Sequence, residues 1–247
     1  MSAHRLPATP PLDLSALVER RPSAEVQEFL RALAGPGAEG ESAADVMRRL
    51  QRQVRDFLLE YKFGLDEVAT KVGILREQFD ATAAISPIEH VKTRVKSPES
   101  LSRKVAARGL PGDLDQIRAQ VRDIAGVRIT CPYVADVRLV AAALERQGDL
   151  TVLEVKDYIA SPKPNGYRSL HLIVEVPVFL ADRTVQVPVE IQIRTIAMDF
   201  WASAEHELRY KFDGRVPEEH SRIMVEIAET ACALDDQMSE LRRVLLT

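Results

Sequence analysis

The segment VPVEIQIR, residues 187–194, carries a carboxylate, an amide and a guanidinium at alternate positions. Val and Ile occupy every odd position, and a period of two is typical of a strand with one apolar face. Glu190, Gln192 and Arg194 therefore share the opposite face. Such a group could do acid–base or metal chemistry, but the strand alone favours the solvated face of an antiparallel sheet.

Asp123 supplies a second carboxylate, just before another strand-like segment in RDIAGVRI, residues 122–129. Gly126 permits close approach of the backbone, and Arg128 projects opposite its apolar neighbours. Two carboxylates from separate strands can hold Mg²⁺ together with substrate phosphates, and one of them can take a proton from a hydroxyl group. Considered alone, however, Asp123 is better explained as a structural residue at a turn.

The segment KPNGYRSLH, residues 163–171, combines a tight Pro-Asn-Gly turn with flanking cations and an aromatic ring. The ring of Tyr167 could stack on a nucleobase. Lys163, Arg168 and His171 could then contact phosphate groups. A hairpin turn with a surface tyrosine is the alternative, but the density of cations around the turn favours a binding loop.

Composition limits where an anion site can lie. The chain has 247 residues and a formal net charge of −4, so a chain-wide basic surface for nucleic acid is excluded. Residues 91–122 nevertheless hold eight basic residues against three acidic ones, whereas residues 218–240 hold one basic residue against seven acidic ones. The basic segment indicates a local pocket for a polyanion, although a solvated helix face explains it equally well.

The cysteine positions and the lack of long apolar runs exclude further classes of protein. Cys131 and Cys232 are the only cysteines, and their separation cannot build a CxxC zinc site or a disulfide framework. No apolar run is long enough to span a bilayer, and the N-terminal residues lack the apolar stretch of a signal peptide. We therefore expect a cytoplasmic protein without a membrane partner.

The candidate residues lie in a region where strand-like and helical patterns mix. Two segments, 135–146 and 196–211, have helical spacing. The strand-like runs are residues 125–131, 151–158, 170–178 and 184–194. This combination predicts a mixed α/β fold.

Amphipathic stripes precede this region. One stripe covers residues 46–61 and a second covers residues 65–79, with Gly64 between them. Because glycine suits a turn, residues 42–83 are predicted to form a helical hairpin. Residues 1–41 are rich in Pro and Gly and are predicted to be a flexible N-terminal extension with one transient helix.

A near-heptad seam of apolar residues runs from Ile223 to Leu245 and predicts a long C-terminal helix. A helix of this kind needs a packing partner. The partner is either another copy of the chain, which we favour, or residues 42–83 of the same chain. Residues 42–247, including this helix, are predicted to form one domain.

Five segments, in this order and spacing, resemble the synthetase domain of the RelA/SpoT family, most closely its stand-alone small alarmone synthetases of the RelQ type. They are VKSPES, RDIAGVRI, PKPNGYRSLHL, VEIQIRT and DFWASAEHELRYK. The resemblance covers roughly residues 45–245. It implies a nucleotidyltransferase-like fold, in which helices flank a mixed β-sheet.

The resemblance also implies a reaction. Members of the family transfer the β,γ-pyrophosphate of ATP to the 3′-hydroxyl of GDP or GTP, which gives ppGpp or pppGpp and AMP. By similarity, Asp123 would bind the Mg²⁺ cofactor, with Glu190 as the second carboxylate. Glu190 would also be the base that activates the acceptor hydroxyl. No segment resembles the family's hydrolase domain, so synthesis without hydrolysis is expected.

By similarity, most of the predicted ATP-binding residues lie in the basic segment. Arg94 and Arg128 would sandwich the adenine. Lys96, Ser100 and Lys104 would surround the ATP phosphates.

On the acceptor side, Tyr167 would stack on guanine, and Lys163 and His171 would reach the acceptor phosphates. Gln192 would support the site. Similar enzymes are tetramers, which favours a homotetramer here. The alternatives are a toxin-type pyrophosphokinase that acts on the 3′ end of tRNA, and a regulatory module that binds single-stranded RNA on the same fold.

Overall fold

The computed structural model describes residues 23–34, 42–83, 85–211 and 217–246. Within these residues lie seven helices and five strands. In chain order they are α1 (Ala24–Ala34), α2 (Ala43–Thr82), β1 (His90–Val95), α3 (Pro98–Ala107), α4 (Leu114–Gln120), β2 (Ala125–Cys131), α5 (Val134–Glu145), β3 (Thr151–Asp157), β4 (Leu170–Phe179), β5 (Thr184–Thr195), α6 (Ile196–Lys211) and α7 (Glu218–Leu246).

The strands form one mixed sheet in the order β1-β2-β5-β4-β3. β2 and β5 are parallel, and the other neighbouring strands are antiparallel. The predicted mixed α/β fold is therefore confirmed, as are the four predicted strands. Sequence patterns did not reveal the edge strand β1, because its sequence HVKTRV has only two apolar residues.

Helix α2 covers one face of the sheet and lies against β5, β2, β4 and β1. The apolar residues at the odd positions of β5, from Val187 to Ile193, are buried on this side. Because side chains alternate along a strand, the polar residues of β5 project from the opposite face. The sheet thus separates the main core from the candidate site.

The predicted turn at Gly64 is wrong. Residues Ala43–Thr82 form one continuous helix of 40 residues, and Gly64 is buried within it. A Cβ atom at Gly64 would lie 2.6 Å from Cγ1 of Val187. Glycine lets the helix approach the sheet closely here, and this packing outweighs the low helix propensity of glycine, about 1 kcal/mol below alanine. The two apolar stripes therefore belong to one helix.

The prediction of a flexible extension is wrong for Ala24–Ala34. This segment is helix α1, which contacts α2 and α3. Val26, Phe29 and Leu30 are buried in the main core, since their spacing places them on one face of the helix. The rest of the predicted extension, residues 1–22 and 35–41, lies outside the described residues.

The predicted long C-terminal helix is confirmed as α7, which packs on α6 and α5. Trp201 Nε1 of α6 donates to the carbonyl of Met224 at 2.8 Å. Arg242 donates to both carboxylate oxygens of Asp136, at 2.7 and 2.8 Å. In the part of the chain that the structure describes, no helix is both long and apolar enough to cross a membrane.

The near-heptad seam of α7 does not pack on residues 42–83. Its apolar side chains from Ile223 to Leu245 lie largely in solvent, with Leu234 exposed to 52% and Leu241 to 50%. The alternative in which the seam packs on residues 42–83 is therefore wrong.

Candidate active site

The polar residues of β5 form a connected group, as their spacing predicts. Gln192 Nε2 donates to Glu190 Oε2 at 2.8 Å, and Arg194 Nη2 donates to Gln192 Oε1 at 2.8 Å. Arg194 is only 3% exposed, and the Glu190 side chain is 16% exposed. The interpretation of this face as a solvated one is therefore wrong.

The loop before β4 closes this group into a ring of hydrogen bonds. Arg194 Nη2 donates to the hydroxyl oxygen of Tyr167 at 2.6 Å, and this oxygen lies 2.8 Å from Nε2 of His171. Nδ1 of His171 lies 3.2 Å from Oε1 of Glu190. The ring Glu190–Gln192–Arg194–Tyr167–His171 thus joins the candidate base to the candidate stacking residue.

Donor and acceptor roles follow around the ring. The Tyr167 oxygen accepts from Arg194, so the hydroxyl proton is free to be donated to Nε2 of His171. Neutral His171 then carries its proton on Nδ1 and donates it to Glu190; this tautomer is assigned from the network. His171 is only 6% exposed and both its nitrogens are engaged. Its contact with an acceptor phosphate stays a prediction.

Hydrogen bonds at Glu190 hold its carboxylate ionised. Burial alone would raise its pKa, but the interaction with His171 and the hydrogen bond from Gln192 outweigh burial and lower the pKa below its ordinary value. The two hydrogen bonds reach different carboxylate oxygens. The orientation of the carboxylate is therefore fixed as well.

Gly166 shapes the loop that presents Tyr167. Its φ of 87° lies in the left-handed region, and an added Cβ would lie 2.6 Å from the Cβ of Ala228 in α7. Asn165 Oδ1 accepts from the backbone N–H of Tyr167 at 3.3 Å. The loop therefore adopts a tight turn, as predicted, and packs against α7.

Cations surround the ring of Tyr167. The Lys163 ammonium lies 4.7 Å from the ring centroid, and the Arg194 guanidinium carbon lies 5.0 Å from it. Lys163 is exposed, so an incoming base can displace its ammonium group from the ring. Arg168 instead donates to the backbone carbonyl of Ile159 at 3.1 Å. Its predicted contact with phosphate is not supported.

Asp123 lies two residues before β2 and pairs with two lysines. Its Oδ2 accepts from Lys104 Nζ at 2.6 Å and lies 3.1 Å from Lys96 Nζ. Burial would raise the pKa of Asp123, but the hydrogen bond from Lys104 and the charges of both lysines lower it overall. Burial lowers the pKa of Lys96, which Asp123 only partly offsets. The interpretation of Asp123 as a simple turn residue is therefore too narrow.

The register of β2 against β5 places Asp123 near Glu190. Gly126 of β2 is the partner of Glu190 in the parallel pair β2–β5, so Asp123 precedes this point by three residues. The charge of Asp123 also acts on the pKa of Glu190, which it raises. Both residues line the same two clefts.

The arginine cleft, the first of these two, has a volume of about 570 Å³. Arg94 and Arg128 line it with the two carboxylates; their predicted stacking on adenine stays a prediction. Nη1 of Arg128 lies 3.4 Å from Oδ1 of Asp199, which also accepts from Arg194 at 3.3 Å. Ser100 lies in the first turn of α3 and lines neither cleft.

The loop cleft, the second, has a volume of about 610 Å³. Lys163, Asn165 and His171 line one side and Arg209 of α6 another. Five residues line both clefts, namely Asp123, Tyr167, Glu190, Gln192 and Glu205. The carboxylates thus stand where two binding spaces meet.

Sequence reasoning assigned no role to Glu205. It lies on α6, where Arg209 donates to its Oε1 from Nε at 2.8 Å. Asn165 Nδ2 donates to the same oxygen at 3.2 Å. The spacing of Glu205 and Arg209 by four residues, inside the segment DFWASAEHELRYK, is the available signal.

The carboxylate pair fits a magnesium ion. No cluster of three or more His, Cys, Asp or Glu side chains suited to a metal occurs among the described residues. Mg²⁺, however, commonly uses one or two carboxylates and takes its remaining ligands from water and substrate phosphates. Oδ1 of Asp123 is buried and has no hydrogen-bond partner within the described ranges. Asp123 and Glu190 are therefore suitable ligands.

Comparisons with known proteins agree on one family. Residues 93–215 match the family model described as a region found in RelA / SpoT proteins. The chain is 44% identical over 199 residues to the GTP pyrophosphokinase YwaC of Bacillus subtilis, covering 81% of this chain and 95% of that protein. It is 40% identical over 191 residues to YjbM of the same organism, covering 77% and 89%.

Solved structures give the same result. The small alarmone synthetase 1 of Bacillus subtilis, bound to its product pppGpp, matches with a TM-score of 0.75 and 39% identity over 79% of this chain and 100% of that one. The small alarmone synthetase 2 matches with a TM-score of 0.70 and 46% identity over 76% and 97%. As the five sequence segments predicted, the chain belongs to the RelA/SpoT family, in its group of small alarmone synthetases.

Proposed function

We propose that this protein is a GTP pyrophosphokinase, which transfers the β,γ-pyrophosphate of ATP to the 3′-hydroxyl of GDP or GTP. The products are ppGpp or pppGpp, and AMP. The observation that carries the proposal is that two clefts meet at Asp123 and Glu190. The names of the relatives, and the pppGpp bound to one of them, support the nucleotide substrates.

ATP occupies the arginine cleft in this proposal. The planar guanidinium groups of Arg94 and Arg128 suit stacking on the adenine ring. Lys96 and Lys104 bind the phosphates, and their present partner Asp123 keeps them close to the cleft. Their positive charge offsets the repulsion between two polyphosphates that must approach each other.

GDP or GTP occupies the loop cleft. Guanine stacks on Tyr167, which is worth about 1–3 kcal/mol for a base on an aromatic side chain. The displaced ammonium group of Lys163 then binds the acceptor phosphates. His171 lines the same cleft and positions the Tyr167 hydroxyl through a hydrogen bond.

Glu190 accepts the proton of the 3′-hydroxyl. The 3′-oxygen forms a bond to the β-phosphorus of ATP, and the bond from that phosphorus to the α–β bridging oxygen breaks. AMP leaves with that oxygen. His171 and Gln192 orient the carboxylate, and positioning supplies much of the rate in phosphoryl transfer.

Asp123 and Glu190 would hold the Mg²⁺ cofactor. When bound, the ion neutralises negative charge that develops on the phosphoryl oxygens. Asp123 is ionised at neutral pH because Lys104 and Lys96 lower its pKa. It can therefore act as a ligand under cellular conditions.

Substrate-pair assays test the proposal. Purified protein with Mg²⁺ and ATP should form AMP only when GDP or GTP is added, and it should leave the guanosine product intact. Nucleotide chromatography measures both. AMP formation with tRNA but not with guanine nucleotide would support the toxin-type alternative, and no AMP with either would contradict the proposal.

A further inference from the structure

Tyr167 cannot select guanine by stacking, because every purine has a similar ring face. Selection requires hydrogen bonds to the edge of the base. Guanine presents two neighbouring donors there, N1–H and the N2 amino group, whereas adenine presents a lone pair at N1. An ionised carboxylate is an acceptor only, so it attracts the guanine edge and repels that of adenine.

Three carboxylates line the loop cleft. Asp123 is paired with two lysines, and Glu190 is held in the ring by His171 and Gln192. Both also serve the proposed reaction. Glu205 stands outside the ring and is available for another role.

Hydrogen bonds orient the Glu205 carboxylate through one of its oxygens and leave the other oxygen without a donor among the described residues. Arg209 and Asn165 both donate to Oε1. Among the described residues, none donates to Oε2. The Glu205 side chain is 18% exposed, so it still reaches the cleft.

Asn165 places Glu205 beside the stacking ring. Its Oδ1 accepts from the backbone N–H of Tyr167, while its Nδ2 donates to Glu205. One amide therefore ties the carboxylate to the loop that presents the ring. A base stacked on Tyr167 would lie within the same cleft as the open oxygen.

We propose that Glu205 is the residue that selects guanine, with Oε2 accepting from N1–H and the N2 amino group of the acceptor base. The proposal rests on the proposed function, since it assumes that the loop cleft holds the acceptor. Arg209 and Asn165 orient the carboxylate from its other oxygen.

Calorimetric binding of GDP and IDP tests this assignment without depending on catalysis. IDP carries hypoxanthine, which lacks the N2 amino group. A site built to bond that group should bind GDP about 10- to 100-fold more tightly than IDP. Failure to form AMP would then count against the proposed reaction alone, whereas the Kd ratio decides the role of Glu205.

Glu205→Gln should reduce the Kd ratio of IDP to GDP to about 3-fold or less. The amide oxygen would turn to the donors on Arg209 and Asn165, so the NH₂ group would face the donors of guanine. Glu205→Asp, which keeps the charge, should retain part of the preference. The matched control is Glu207→Gln, since Glu207 on the same helix is 70% exposed and pairs with Lys211.

Two results would overturn the assignment. The first is equal affinity of the wild-type protein for GDP and IDP. This result does not depend on the folding of any variant. The second is a folded Glu205→Gln variant that loses affinity for GDP and IDP by the same factor, because that outcome indicates a structural role through Arg209 and Asn165.

Discussion

Nδ1 of His171 lies 3.2 Å from Oε1 of Glu190. A side chain of β4 therefore orients Glu190, the proposed base, which lies on the neighbouring strand β5. The other imidazole nitrogen meets the hydroxyl of Tyr167. One buried histidine thus joins Tyr167, the proposed stacking residue, to Glu190, the proposed base. The orientation and the pKa of Glu190 therefore depend on His171.

His171→Phe should move the acid limb of the pH–kcat profile to higher pH. In the wild type, the interaction with His171 lowers the pKa of Glu190 against the effect of burial. Without this interaction burial dominates and raises the pKa, so the base is protonated at a higher pH. Initial rates of AMP formation across pH measure the shift. His90→Phe is the control, because that imidazole is 67% exposed, and an unmoved acid limb in His171→Phe would contradict the account.

Tyr167→Ala and Tyr167→Phe should separate stacking from hydrogen bonding. Tyr167→Ala should weaken acceptor binding by about 1–3 kcal/mol, because it removes the stacking ring. Tyr167→Phe keeps the ring and removes the hydroxyl that joins Arg194 to His171, so it should lower kcat more than it raises the acceptor KM. Steady-state kinetics with varied GDP measure both. An unchanged acceptor KM in Tyr167→Ala would refute the stacking role.

Gly64→Ala should destabilise the fold although alanine favours helices. The added Cβ would lie 2.6 Å from Cγ1 and 2.8 Å from Cβ of Val187. The second atom is fixed to the backbone, so rotation of the side chain cannot relieve the overlap. We expect a loss of about 1–3 kcal/mol in the free energy of unfolding, measured with denaturant. Gly148→Ala is the control, since nothing lies within 4 Å of its added Cβ; equal stability of the two variants would contradict the packing.

The apolar seam of α7 should form an interface between copies of the chain. Its side chains are exposed in the single chain, and burying them would stabilise an oligomer, which we expect to be a homotetramer. Leu234→Glu combined with Leu241→Glu should lower the mass measured by light scattering without unfolding the chain. Thr230→Glu with Gln237→Glu adds the same charges outside the seam and should not. A monomeric wild type at micromolar concentration would exclude the oligomer.

Residue types and spacing were enough to predict four of the five strands in the described residues and the polar residues that the candidate site brings together. The period of two in β5 grouped Glu190, Gln192 and Arg194 correctly, because side-chain direction in a strand is a local property. The cations and the turn residues around Tyr167 also indicated that its loop belongs to the site. The hydrogen bonds that close the ring were not predictable, since they depend on the register of β4 against β5.

Two errors have a common physical cause. Gly64 was interpreted as a turn, but it permits close helix–sheet contact. The sequence predicts only a transient helix at α1, but α2 and α3 pack against this helix and bury its apolar face. In both cases a distant packing partner decides the conformation, and local sequence does not identify that partner.

The most direct test of the pyrophosphate transfer uses ATP labelled in its β-phosphate. The account predicts that the label moves to the guanosine nucleotide and that unlabelled AMP is released. Glu190→Gln and Asp123→Asn should each reduce labelled product by about 100-fold or more while the protein stays folded. Label that remains in ADP, or full transfer by the Glu190→Gln variant, would contradict the account.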